Sequence, residues 1–297
     1  MITGASRGIG RAMAMDLAQH GFDIVPTARS LDESVVAWSG TLNETAERVR
    51  ELGQRALPVK MDLANQTDIR AGIDAAMDEF GRIDVLITNG AYVDFAPDGT
   101  FLSAFVNTSW DSIERHIETN IVSTMLLHRL VLPIMFKQRS GVVINVTQNW
   151  SWITMPDLPM PGEGICGMAI PVTRGVTDRM APCLKREVAP YGVAVLTFDP
   201  GLTLSSAKER WENAELAGFT PGATHSVAVP ARAASYIATC RDPSVFNGEF
   251  VSALDLVQSF GLLSEADIHP DWEQGPQDVT SIPPIMASSR ALAGPGE

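Results

Sequence analysis

The sequence is poor in cysteine, short of basic residues relative to acidic ones, and without a recognisable leader. Its three cysteines, Cys166, Cys183 and Cys240, are odd in number and lack metal-ligand spacing, which argues against a disulfide framework and fits reduced thiols in a cytoplasmic protein. No metal site is expected. Lysine and arginine total 22 against 35 acidic residues, and a net charge of −13 repels a phosphate backbone or an anionic membrane surface on average. Nucleic-acid and membrane partners are therefore not expected. The opening Met1-Ile2-Thr3-Gly4 carries no basic stretch followed by an apolar run. No segment reads as long enough to span a bilayer.

With 297 residues and 45% hydrophobic content the chain can bury one large core or two small ones, and one domain is the expected arrangement. Short apolar runs alternate with longer amphipathic stretches, the pattern of strand-helix repeats that build a parallel sheet covered on both faces. The fold class is read as α/β, a single doubly wound parallel sheet with helices on both faces. Strands are expected at 22–27, 55–61, 85–88, 141–146 and 193–198, with a late one near 249–252. Helices are expected over 109–129, stopping near Pro133, and over 175–188, ending before Pro190. From 275 to 297 the sequence is rich in Pro, Gly, Ser and Ala with little periodicity, so 266–297 reads as a tail on a domain spanning 1–265. That tail is either loose or an arm on a partner subunit.

The run Thr3-Gly4-Ala5-Ser6-Arg7-Gly8-Ile9-Gly10 leads straight into the helical pattern 11–19. It places a glycine-rich turn at a helix N-terminus, where the backbone can approach a pyrophosphate without a Cβ clash and the dipole favours negative charge. The full eight-residue run resembles that of the short-chain dehydrogenase/reductases, which implies a Rossmann-type fold and a nicotinamide cofactor. Later pieces fit the resemblance in the right order. Asp62-Leu63 resembles the acidic dipeptide that lies against the adenine. Thr88-Asn89-Gly90-Ala91 stands where the family has Asn-Asn-Ala-Gly. Asn120 matches the helix asparagine of the proton relay, and Pro200-Gly201-Leu202-Thr203 the segment that contacts the nicotinamide carboxamide. The resemblance covers roughly 1–261 and implies a dimer or tetramer.

Cofactor choice is argued from charge. The second strand ends at Thr27-Ala28-Arg29-Ser30, with no carboxylate to accept the adenosine ribose hydroxyls, so NADP(H) is expected, with Arg29 and Arg7 on its 2′-phosphate. One defect stands out: only Met1-Ile2 precede Thr3, so the central strand is nearly missing. A start assigned too late or a shortened chain is the expected cause, and unpaired ladder groups on the neighbouring strands are its expected consequence.

The resemblance also implies a tyrosine, a lysine four residues later and a serine that orients the carbonyl. Counting back from Glu187-Val188-Ala189-Pro190 puts Ile170 in the tyrosine slot and Arg174 in the lysine slot, with Thr173 at the hydroxyl position between them. A rival frame, with Cys166 in the tyrosine slot, needs one extra turn inside a packed helix and misphases every later apolar contact. Both frames lack the tyrosine and the lysine. In Val146-Thr147-Gln148, Thr147 takes the first serine and Gln148 the catalytic one. Gln148 either donates to a carbonyl oxygen or satisfies loop backbone. Tyr92, next to Ala91 at the ligand-bearing edge of the sheet, is the best surrogate acid, ahead of Glu163, Cys166, His116 and His128. The insert between Gln148 and Ile170 either walls an apolar substrate pocket or makes an oligomer contact, and 202–226 occupies the substrate-lid region.

Two functions are compatible with these residues. One is an atypical NADP(H)-dependent oxidoreductase acting on a small apolar carbonyl or alcohol, imine or activated alkene. The other is a cofactor-binding protein on the same scaffold without ordinary redox turnover: a cyclase, lyase, isomerase or pseudoenzyme.

Overall fold

The computed structural model describes residues 1–32, 40–93, 108–147, 169–201, 203–204, 225–269 and 280. The central apolar runs, at 2–3, 85–88, 141–146 and 193–199, are buried throughout and pair as a parallel sheet. β1 (Ile2–Thr3), β2 (Pro26–Ala28), β3 (Val59–Lys60), β4 (Val85–Thr88), β5 (Gly141–Val146), β6 (Val193–Asp199) and β9 (Phe250–Ser252) form one seven-stranded sheet in the order β3-β2-β1-β4-β5-β6-β9. The order reverses between β1 and β4, the crevice where such sheets bind ligands. A separate two-stranded parallel pair joins β7 (Thr203–Leu204) to β8 (His225–Ser226).

One face of the sheet is covered by α1 (Gly8–Gln19), α2 (Leu42–Glu51), α7 (Ala228–Thr239) and α8 (Ala253–Phe260), whose apolar residues pack with Ile87, Ile144 and Phe198. The other face carries α3 (Gln66–Phe80), α5 (Ser123–Gln138) and α6 (Ala169–Val188) over Leu86, Val143 and Val195, with α4 (Trp110–His116) leading towards α5. A short α9 (Glu265–Ile268) follows. Local chemistry sets several ends. Thr41 and Glu44 form a capping box on α2, Asn65 caps α3, and Gly81 ends α3 in the left-handed region.

The short central strand keeps its pairing on both sides. Ile2 N donates to Val25 O (3.0 Å), Ile87 N to Met1 O (2.9 Å), and the Met1 amino group to Val85 O (2.7 Å). The unpaired ladder groups expected on the neighbouring strands are thus not found at Val25 O, Val85 O or Ile87 N. Burial pushes the pKa of that amino group down to about 5, against the raising effect of Asp84.

Two helix ends differ from expectation. Helical backbone runs on through Pro133 to Gln138, and a π-helical stretch, Ile117–Val122, joins α4 to α5. Pro133 and Arg129, whose carbonyl it frees, both face solvent, so water replaces the lost bond. α6 begins at Ala169, before Gly175, because its first turns are anchored by Thr173 and Arg174. The continuous run also corrects the reading that nothing is long enough to span a bilayer. Trp110–Gln138, 29 residues, is long and apolar enough by length and composition. Its buried His116, Asn120, Thr124 and His128 side chains belong to a helix packed on protein.

A buried ion pair locks α1 to α7. Arg232 Nε and Nη2 each lie 3.1 Å from Asp16 Oδ1, with both side chains almost fully buried. Replacing Asp16 by Ala strands a buried guanidinium, and urea unfolding is expected to show a loss of about 3–5 kcal/mol. A loss below about 1 kcal/mol would remove the pair from the list of elements that fix α7.

His128 is buried and bonds Thr124 O through Nδ1 (2.7 Å), and burial holds its pKa below the usual value. The unfolded chain takes up a proton near pH 6.5 that the folded chain resists, so stability drops as pH falls through 6.5. Melting temperature followed from pH 7.5 to 5.5 is expected to decline less in His128→Leu than in the native chain. Parallel curves would assign the acid sensitivity to other groups.

Candidate functional site

The glycine turn is built by close backbone approach. Gly4 has φ +66°, and a Cβ there would meet Gly90 Cα at 2.8 Å. A Cβ on Gly10 would meet Gly4 O at 2.4 Å and Asn89 Nδ2 at 2.6 Å. Asn89 fills that contact by donating to Thr3 O (3.0 Å) and Gly4 O (3.2 Å), while Gly90 N donates to Thr3 Oγ1 (2.8 Å). Thr45 of α2 supports the turn from behind, donating to Ala5 O (3.0 Å). No side chain caps the first turn of α1, and no acid occupies it, so its amides suit an anion. Gly4, Ser6, Arg7, Gly8, Ile9, Gly10, Asn89 and Gly90 thus surround one turn.

At the open end of β2, Arg29 is exposed and Arg7 half-buried. Burial lowers the pKa of Arg7, and the nearby positive charge of Arg29 lowers it further. Two cations held near each other favour a bound anion. Asp62 accepts from Ala64 N (3.0 Å), and Leu63 packs over Gly90 so closely that a Cβ there would lie 2.8 Å from Leu63 Cδ1.

Next to β1, Thr88, Asn145 and Thr197 stand level on β4, β5 and β6. Thr88 Oγ1 donates to Asn145 Oδ1 (3.0 Å), and Thr197 Oγ1 to the Asp178 carbonyl (3.3 Å). Asn120, in the π-helical stretch, accepts from Tyr92 N (2.8 Å) and donates to Tyr92 O (3.1 Å) and Thr173 Oγ1 (3.2 Å). It therefore ties the chain after β4 to the start of α6. Arg174 is buried and donates from Nη1 to Val146 O (2.9 Å), at the end of β5. Burial pushes its pKa down to about 10, opposed by the charge of Asp178. Arg174 Nε, Asn145 Nδ2 and Thr147 Oγ1 are buried and have no hydrogen-bond partner among the described residues. Ile170 stands on α6 one turn before Arg174. The Tyr92 ring lies edge-on to His116, with ring centres 4.7 Å apart and Arg115 over its face, which places it on α4. Gln148, Glu163 and Cys166 lie outside the described residues, as do 149–168, Leu202 and 205–224.

Pro200, Gly201 and Thr203 follow β6. Gly201 has φ +69° and donates to Asp199 Oδ1 (3.0 Å), while Thr203 Oγ1 donates to Pro200 O (2.9 Å). His225, which motif reading passed over, joins them: its Nε2 lies 2.7 Å from Pro200 O. Burial lowers its pKa, the Pro200 bond raises it, and neighbouring His269 lowers it.

This geometry agrees with what similarity to known proteins shows. The family profile described as short chain dehydrogenase matches residues 1–160. The chain belongs to the short chain dehydrogenase family. Members of that family use NAD or NADP. A peroxisomal 2,4-dienoyl-CoA reductase of Danio rerio is 28% identical over 205 residues, 67% of this chain and 59% of that protein. A 3-oxoacyl-acyl-carrier-protein reductase of Staphylococcus epidermidis is 27% identical over 206 residues, 69% of this chain and 75% of that protein. The chain thus spans under two thirds of the first of these relatives. A solved short-chain type dehydrogenase/reductase from Mycobacterium marinum shares the fold, with TM-score 0.67 and 20% identity over 84% of this chain and 91% of that one.

In the terms of the dehydrogenase fold, β1, α1 and β4 frame the glycine turn, and β5, the α4–α5 run and α6 form the edge beside it. No group of three or more His, Cys, Asp or Glu side chains that could hold a metal ion occurs among the described residues. Gly10→Ala drives a methyl into Gly4 O and displaces Asn89. Dinucleotide binding, followed by quenching of intrinsic fluorescence, is expected to fall below detection in this variant. Undiminished binding would mean that the turn does not hold the pyrophosphate.

Proposed function

We propose that the protein is an NADP(H)-dependent oxidoreductase with an altered proton relay, acting on a small apolar substrate. The reading rests above all on Arg174, a buried cation one turn after Ile170, where a lysine and a tyrosine normally work together. The cradle fits a dinucleotide: side-chain atoms are excluded from Gly4, Gly10 and Gly90, and the first turn of α1 is uncapped. Arg7 and Arg29 would take the 2′-phosphate, and Arg174 Nε has an unmade bond for a ribose hydroxyl. The nicotinamide supplies hydride chemistry when bound.

What the chain's own residues do follows from their proton chemistry. With a pKa of about 10, Arg174 stays charged at neutral pH, so it stabilises negative charge at the end of β5 but does not pass a proton onward. Ile170 has no proton to give. Asn120 spends its amide on Tyr92 backbone and Thr173, holding the edge rigid. Ordinary ketone reduction, which needs a positioned acid worth on the order of 10²- to 10⁴-fold, is therefore weak. Imines and carbonyl-conjugated alkenes ask less, because solvent can supply their final proton. The name of the Danio rerio relative denotes reduction of such an alkene.

NADPH is expected to bind at least tenfold more tightly than NADH, with Arg29→Asp reversing the order. Equal affinities would remove the NADP assignment. NADPH oxidation against aldehydes, ketones, imines and enones is expected to favour the last two. The triple variant Gln148→Ser, Ile170→Tyr, Arg174→Lys should gain on ketones alone. A native enzyme that matches it on ketones has an intact relay, while binding without turnover on any class favours the cyclase, lyase or isomerase reading.

A homodimer or homotetramer is part of this proposal. Trp110 and Met125 on the α4–α5 run are 67% and 57% exposed, and Val172 on neighbouring α6 is 53% exposed, an apolar band on adjoining helices. Light scattering at micromolar concentration is expected to show a dimer or larger for the native chain and a monomer for Met125→Glu with Val172→Glu. An unchanged mass in the variant would move the interface elsewhere.

A further inference from the structure

We infer that His225 is a positioning residue for the nicotinamide end of the cofactor: it fixes Pro200, Gly201 and Thr203. The inference rests on the dinucleotide reading given above. His225 is 3% exposed and reaches Pro200 O from Nε2 at 2.7 Å, which requires the tautomer protonated on Nε2. Thr203 Oγ1 shares both partners, lying 2.9 Å from Pro200 O and 3.3 Å from His225 Nε2. The imidazole lies against Gly201 so tightly that a Cβ there would meet Cε1 at 2.2 Å and Nε2 at 2.8 Å. The glycine and the ring thus complement each other.

The turn is held from three sides. Asp199 Oδ1 takes the Gly201 N–H, Thr203 pairs with His225 across β7 and β8, and His225 itself takes the Pro200 carbonyl. Behind His225, Ser226 Oγ donates to Asp267 O (2.5 Å) and accepts from Ala228 N (3.3 Å). That side chain anchors β8 to α9 and to the start of α7. A rigid chain of contacts therefore runs from the core through His225 to a turn that hydride transfer needs placed to within a fraction of an ångström. Losing the donor leaves a buried carbonyl short of a partner and the ring's place vacant, and the turn shifts while the sheet stays intact.

The test compares NADPH with adenosine 2′,5′-bisphosphate, which carries the adenine end and no nicotinamide. His225→Ala is expected to weaken NADPH about tenfold, the scale of one buried hydrogen bond, and to leave the bisphosphate unchanged. His225→Gln, whose amide nitrogen stands in for Nε2, should restore NADPH binding. Gly201→Ala, which presses on the ring, should weaken NADPH as His225→Ala does. If His225→Ala does not fold, His225→Leu keeps the volume, lacks the donor and is read in the same way. Unchanged NADPH affinity, or equal weakening of both ligands, overturns the positioning role. Failure of the native chain to bind NADPH or NADH would instead overturn the dinucleotide reading. Preference for NADH would overturn the NADP choice alone and leave His225 to be tested with NADH and adenosine 5′-monophosphate.

Discussion

Two strand ends and a helix start meet at the glycine turn, with no room for a Cβ at the three glycines. Gly4, Gly10 and Gly90 approach at backbone distance, and Asn89 fills the remaining gap with two hydrogen bonds. This approach seats α1 beside β4, opens the crevice where the strand order reverses, and leaves uncapped amides aimed at it. A pyrophosphate needs that concentration of donors and absence of side-chain bulk. The rest of the site is arranged around the position this turn dictates.

The reacting edge is also a connected construction, but its polar groups are incompletely matched. Asn120 links Tyr92 to Thr173, and Arg174 caps the end of β5, while Arg174 Nε, Asn145 Nδ2 and Thr147 Oγ1 are buried without partners among the described residues. Buried donors without partners cost stability and are retained where a site uses them. These three stand at the edge formed by the end of β5 and the start of α6. The scaffold holds a buried positive charge there.

Strands β4, β5 and β6 were legible because a sheet buried on both faces writes near-continuous apolar runs. The doubly wound order follows once helices alternate with them. Helix ends were less legible. Pro133 reads as a stop, yet it faces water and the helix continues. The start of α6 was hidden because Thr173 and Arg174 anchor it through contacts with Asn120 and Val146 that are remote in sequence. The pairing of β1 likewise depends on partners remote in sequence: Ile2 and Thr3 pair with β2, and Ile2 with Ile87 of β4.

The sequence by itself determined the glycine turn, the family resemblance and the absence of a carboxylate in Thr27-Ala28-Arg29-Ser30, since each is written in contiguous residues of fixed chemistry. Tertiary structure alone decided the company these residues keep. It brought His225 under Pro200 and Gly201, locked Asp16 to Arg232, set Tyr92 against His116, and placed Arg7 within the field of Arg29. Such pairings depend on distances set by packing between elements far apart along the chain, and no local pattern encodes them.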